Sequence, residues 1–302
     1  MTKDKQVLID CIPDVHFSRH IIPSVLTRLP KVQYDLVLIE GGLASAQGEG
    51  LYQKIIKENG TAEIYEKLRQ AVKSEPICVD SLEHYFWASK LIEKIGRLVS
   101  KGKNRRDIWS NPRYRATINL VTQYLYPERD LRMLRQIRTI LTVVSAKERR
   151  PVRILLVTGL AHAVVLRKQL NRWYLFRYLV SLKKAKTAIV ENYKIVLKGR
   201  PAVGWLRELR DANSFEAIRG TVLRHGLISC GAPVSESKKI IDQVCPVDIE
   251  GPRIRRWYHP NGLLACEQAL KGDQADGKTA WYSNRGILKA TAKYKLGKRS
   301  PH

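Results

Sequence analysis

Three polar side chains stand where short apolar runs end, and their types suit hydrolysis or proton transfer. His16 follows the run Gln6–Ile12, within Pro13-Asp14-Val15-His16. Glu40 closes the run Asp35–Ile39, and His162 follows Val152–Thr158, within Gly159-Leu160-Ala161-His162. Two imidazoles and a carboxylate gathered in one place can bind a divalent metal ion, with His16, Glu40 and His162 as ligands, or can act as general acid and base. Asp14, His20 and Asp80 can add to such a cluster. Each residue also has a plainer role open to it. His16 can cap the next helix, Glu40 before Gly41-Gly42 can be an exposed loop carboxylate, and His162 in an apolar segment can be a satisfied core histidine. A fourth element is Tyr126-Pro127-Glu128-Arg129-Asp130, opening a helix. Acids there suit the helix dipole. Alternatively Glu128 or Asp130 faces a site while Arg129 orients a carboxylate or a bound anion.

The elements that must position these residues read as alternating strands and helices. Buried strands are expected at Gln6–Ile12, Asp35–Ile39, Pro76–Val79 and Val152–Thr158, each a short apolar run bounded by turn residues. Between them, helical patterns run from Ser18 to about Leu29, from Glu49 to Lys73 and from Ser81 to about Ser100. Pro112–Tyr126 and Glu128–Ser145 follow as two helices separated at Pro127, and Ala161–Leu170 as another. Strands alternating with helices predict an α/β fold: a central, mostly parallel sheet flanked by long helices. In such a sheet ligands bind beyond the carboxyl ends of the strands, where His16, Glu40 and His162 stand.

In order and spacing, this set resembles the TraB/Tiki superfamily, which is related to the erythromycin-esterase-like and ChaN-like proteins. The similarity runs over residues 6–170. It comprises a strand leading to His16, the hydrophobic strand Tyr34–Glu40 ending in Glu, and Ile77-Cys78-Val79-Asp80 before a long helix. Glu128-Arg129-Asp130 at a helix start and a Val-rich strand running into Gly159-Leu160-Ala161-His162 complete it. Pro13 departs from the pattern, standing where the family has Gly, so a positive φ is not available there. The resemblance implies a metal-dependent, peptidase-like hydrolase. His16 and His162 would be ligands or acid–base groups, and Glu40 and Glu128 would bind the metal or activate its water. Arg129, Asp130 and Asp80 would bind substrate or an anion.

Beyond residue 170 the expected organisation is a basic extension, helical and then loop-rich over 230–285, with a frayed tail from Lys289 and no internal repeat. This divides the chain into a domain of residues 1–170 and a region of residues 171–302. Tyr174–Lys186 reads as a basic amphipathic helix and Ala202–Gly226 as a further helix. The chain of 302 residues carries 54 Lys and Arg against 28 Asp and Glu, a formal charge of +26. That charge predicts attraction to polyanions. Residues 167–210 hold 12 basic and 2 acidic residues. A second reading is therefore a non-catalytic nucleic-acid-binding protein on the same fold, gripping phosphates with Arg167, Lys168, Arg172, Lys183, Lys184, Lys186, Arg255 and Arg256. Trp257-Tyr258 and Trp281-Tyr282 would stack bases, or would form a small aromatic core. Cys230, Cys245, His259 and Cys266 could form a zinc centre, although they lack the short paired spacings usual for one. The five scattered cysteines, the lack of a signal peptide and the lack of an apolar run long enough to span a bilayer predict a reducing, intracellular setting such as the cytoplasm.

Overall fold

A computed structural model describes residues 7–14, 33–40, 76–80, 109–148, 150–197 and 203–300, with residues 25, 68, 70, 87, 90, 91 and 93 singly. The chain divides into two compact units, residues 1–82 with 132–221, and residues 83–131 with 222–302. The helices expected around residues 18–29, 49–73 and 81–100 lie largely outside the described residues. The regular helices with described bounds are α1 (Pro112–Gln123), α2 (Arg129–Lys147), α3 (Leu160–Leu170), α4 (Leu182–Leu197), α5 (Val203–Asp211), α6 (Phe215–Ser229) and α7 (Val234–Val244). Among the described residues, no helix is long and apolar enough to cross a membrane.

The first unit is built on a parallel sheet, as expected of an α/β fold. Its strands are β1 (Val7–Asp14), β2 (Leu36–Ile39), β3 (Ile77–Cys78), β4 (Val152–Gly159) and β5 (Leu175–Tyr178), in the spatial order β3-β2-β4-β1-β5. Every neighbouring pair is parallel. The two longest strands, β1 and β4, lie side by side over their full length, with Val7 opposite Val152 and Asp14 opposite Gly159. Ile9, Cys11, Ile12, Ile154, Leu155 and Leu156 are all fully buried. Burial on both faces is why these strands read as unbroken apolar runs. Helix α3 follows β4 directly and buries Ala163, Val164, Val165, Leu166 and Leu170. Helix α2 buries Met133, Leu134, Ile137 and Leu141, the spacing of one helical face.

Two expectations for this region are corrected. The boundary placed at residue 170 falls inside the sheet unit, because Leu175–Tyr178 is not the start of a helix but an edge strand paired with Leu8–Cys11. The helix comes later, as α4. Pro127 does not separate two helices either. Proline lacks an N–H and its ring crowds the carbonyl four residues back. The chain widens there into a π-helical turn, Tyr124–Glu128, and runs on into α2.

The second unit overturns the loop-rich reading of 230–285 and the frayed tail. Helix α7 is followed by a five-stranded antiparallel meander: β6 (Pro252–Tyr258), β7 (Leu264–Lys271), β8 (Gln274–Tyr282), β9 (Leu288–Lys295) and β10 (Lys298–Arg299). Its prolines and glycines punctuate strands. Contrary to expectation, an internal repeat is present: Trp257-Tyr258, Gly262 and Leu264 recur as Trp281-Tyr282, Gly286 and Leu288. In both copies the ladder shifts register between the Trp and the Tyr. Both turns close in the same way, with Gly262 N–H donating to His259 and Gly286 N–H to Ser283. Both glycines hold positive φ, +85° and +79°, a region closed to most side chains. At Arg256 the outer edge of β6 is paired by one side chain. The Gln123 amide donates to the Arg256 carbonyl at 3.1 Å and accepts from the Arg256 N–H at 2.8 Å, acting as a one-residue strand. Trp109, Tyr114 and Ile118 pack with Leu223, Leu227, Ile241, Val244 and Cys245 as the core of this unit.

Candidate active site

The parallel ladder delivers Glu40 to the carboxyl end of β2. Its backbone N–H donates to the Val157 carbonyl at 2.8 Å, which carries the β2–β4 ladder one residue beyond the strand. That register puts the Glu40 side chain on the same face as Thr158. The Thr158 hydroxyl donates to Glu40 Oε2 at 2.7 Å, and the Gly159 N–H donates to the same oxygen. His162 sits in the first turn of α3, with its Nε2 3.5 Å from Glu40 Oε1. The side chains of His162 and Glu40 are only 4% and 5% exposed. The helix N-terminus favours negative charge beside it, and hydroxyl and amide donors suit a carboxylate anion. The result is an imidazole held against a fixed carboxylate, shielded from bulk water, at the strand ends of a parallel sheet.

Of the other candidates at these strand ends, Asp14 ends β1 half-buried, and Asp80 is buried just beyond β3. His16 and His20 lie outside the described residues. Pro13, at the departure from the family pattern, is an ordinary strand residue opposite Thr158. Glu128, Arg129 and Asp130 belong to the second unit, where Arg129 and Asp130 are buried. Both Glu128 oxygens are taken up there. Arg253 Nη1 reaches Oε1 at 2.8 Å, and Arg255 binds Oε1 through Nε at 2.9 Å and Oε2 through Nη2. Burial works against the charge of Glu128. The hydrogen bond from Arg255 and the charges of Arg253 and Arg255 outweigh it and hold this acid below its usual range.

No family model, curated protein or solved structure matches the chain.

The divalent metal implied by the resemblance needs a set of donors. Among the described residues, no three His, Cys, Asp or Glu side chains come together as a metal-binding group. Glu40 Oε2 accepts from Thr158 and Gly159, and Oε1 faces His162, which makes a pair of His162 and Glu40. The described residues alone do not make up a metal site, and His16 of the expected set lies outside them. The zinc arrangement is not assembled either. Cys245 is buried beside the Thr122 carbonyl, and His259 Nε2 pairs with the Tyr282 carbonyl at 3.0 Å. All five cysteines are free thiols.

The basic residues named for nucleic-acid binding are scattered. Arg167 stacks over the Tyr178 ring at 5.0 Å. Lys186 donates to the Arg210 carbonyl at 2.6 Å. Lys168 is exposed near the end of α3 and Arg172 just beyond it, and Lys183 and Lys184 are both exposed on α4. Arg255 is bound to Glu128. Arg256 is bound to Glu267 at 2.7 Å and to Gln243 at 3.1 Å.

Sequence reasoning missed two polar groups. Thr158 reads in sequence as no more than the end of a strand, but its register opposite Glu40 makes it a donor to that acid. Asp10, fully buried in mid-strand, is the other. Its carboxylate accepts from Arg177, from Arg153 through Nε and Nη2 at 3.1 and 3.0 Å, and from the Tyr34 hydroxyl at 2.9 Å. Burial opposes its charge, but hydrogen bonds from Arg177, Arg153 and Tyr34 prevail and lower its pKa. The available signal was an acid inside an otherwise apolar run, a position seldom occupied without a partner.

Proposed function

We propose that the protein is a hydrolase whose proton-transfer group is His162, with Glu40 as its positioning residue. In this reading, the imidazole takes the proton of an attacking water as the water oxygen bonds to an acyl carbon. It then returns that proton to the leaving group when the acyl bond breaks. Glu40 fixes the orientation of the ring and stabilises the imidazolium formed between the two transfers. Thr158 and Gly159 hold Glu40. The observation that carries the proposal is the burial of this carboxylate–imidazole pair at the strand ends of a parallel sheet, where such sheets bind ligands. The peptide bond is the substrate class that the TraB/Tiki resemblance suggests. The five free thiols support work in a reducing compartment, and we place it in the cytoplasm.

The experiment is hydrolysis of a mixed-sequence peptide library by the full chain, read by mass spectrometry with and without added divalent metal. The intact protein is expected to cleave, and His162→Asn to lose about 10²-fold or more, the usual scale for a general base. Cleavage that is absent in every condition, or unchanged in His162→Asn, contradicts the reading.

A further inference from the structure

The antiparallel sheet of the second unit carries a basic face. No Asp or Glu follows Asp276, whereas Lys278, Arg285, Lys289, Lys293, Lys295, Lys298 and Arg299 do. The register sorts four of these onto one face. Lys278 lies directly opposite Lys293 across β8 and β9, and Lys295 directly opposite Lys298 across β9 and β10. Lys293 and Lys295 are two residues apart on one strand and so point the same way. Ala292, between Thr291 and Lys293, is buried on the opposite side. All four lysines are exposed. Like charges directly opposite one another destabilise a sheet, and here two such pairs adjoin.

The same face contains a depression of about 200 Å³, lined by Ile254, Glu267, Ala269, Lys278, Ala280 and Tyr282. Its floor is largely apolar, Tyr282 supplies an aromatic wall and Lys278 stands at its rim. Glu267 is held there by Arg256 at 2.7 Å. Apart from Glu267, the acids on these strands and their turns are Asp273 and Asp276, both beside the β7–β8 turn.

We propose that this face binds single-stranded nucleic acid, with phosphates on Lys278, Lys293, Lys295 and Lys298 and one unstacked base in the depression against Tyr282. Lysines are point charges on flexible stems, so they grip phosphates without reading sequence. An aromatic wall beside an apolar floor accepts the face of any base. An open sheet face with lysines and an aromatic favours an extended strand whose bases are free, because bases stacked inside a duplex cannot enter the depression. The proposal is independent of the hydrolytic reading and uses residues other than the basic residues named from sequence, of which Arg255 and Arg256 are bound by acids.

The test uses the full chain and fluorescence anisotropy, with a labelled U20 strand, an abasic strand of equal length, a 20-base-pair duplex and vesicles containing phosphatidylserine. Two variants remove equal charge: Lys278→Gln with Lys293→Gln on the sheet, and Lys183→Gln with Lys184→Gln on α4. U20 is expected to bind most tightly. The sheet variant should weaken it about tenfold and lower the log–log salt slope by about 1.4, two phosphate contacts at about 0.7 each. The α4 variant should leave both unchanged. Equal losses in the two variants overturn the proposal, as does duplex, abasic strand or vesicle binding that matches U20. Absence of U20 binding at low salt also overturns it.

Discussion

His162 Nε2 faces Glu40 Oε1 at 3.5 Å, while the other oxygen of Glu40 accepts from Thr158 and Gly159. One carboxylate thus ties the end of β2 to the end of β4 and the start of α3. Truncating it leaves buried donors without an acceptor. Glu40→Ala is expected to cost about 2–4 kcal/mol and Glu40→Gln, which keeps one oxygen, about half as much. Urea unfolding checks this. Equal losses in the two variants would mean that the donors at Thr158 and Gly159 find other acceptors.

Asp10 makes stability depend on pH. Its pKa in the folded protein is lowered, below the value of about 3.9 expected of an unfolded chain. A depressed acid stabilises the fold fully above the unfolded value, and that contribution is lost as pH falls through the folded one. Asp10→Asn is therefore expected to be less stable than the parent at pH 7 by about 2–3 kcal/mol, toward the low end for a broken buried ion pair because Arg177 is half-exposed. The gap should narrow on acidification below about pH 4. Urea unfolding at pH 7 and pH 3 measures both gaps, and an equal gap at the two pH values would remove Asp10 as the source.

The repeated turns of the second unit offer an internal comparison. A Cβ on Gly262 would lie 2.3 Å from the Arg113 backbone nitrogen, whereas one on Gly286 would meet nothing closer than Leu263 Cδ1 at 3.9 Å. Both substitutions to Ala pay for positive φ, about 1–2 kcal/mol. Gly262→Ala also forces backbone apart and is expected to cost about 3 kcal/mol or more. Thermal unfolding of the two variants reads the difference. Similar losses would show that the backbone around Arg113 yields.

Much of the first unit was legible because its strands are buried on both faces. Val7–Asp14 and Val152–Gly159 therefore stand out as apolar runs, and a polar residue at the end of such a run, Glu40 or His162, marks itself. β5 escapes a local reading because Leu175–Tyr178 carries Arg177, whose charge is answered by Asp10 on the neighbouring strand, a partner that no local pattern shows. The second sheet is hidden in the sequence for a different reason. Its strands are half-exposed and rich in Ala, Lys and Arg, so alternation is faint and the turn glycines dominate. The recurrence of Trp-Tyr, Gly and Leu was the stronger signal, since each copy builds the same bulge and turn. Register also escaped local reading. Only the pairing of β2 with β4 puts Thr158 beside Glu40, and only the pairings of β8, β9 and β10 put four lysines on one face.

The most direct measurement is a kinetic double-mutant cycle on peptide hydrolysis with Glu40→Gln, His162→Asn and the two together. If Glu40 acts through His162, the double variant loses no more kcat/KM than His162→Asn alone, because groups acting as a unit are not additive. Losses that multiply, or a His162→Asn variant as active as the parent, would contradict a paired proton-transfer site at the strand ends.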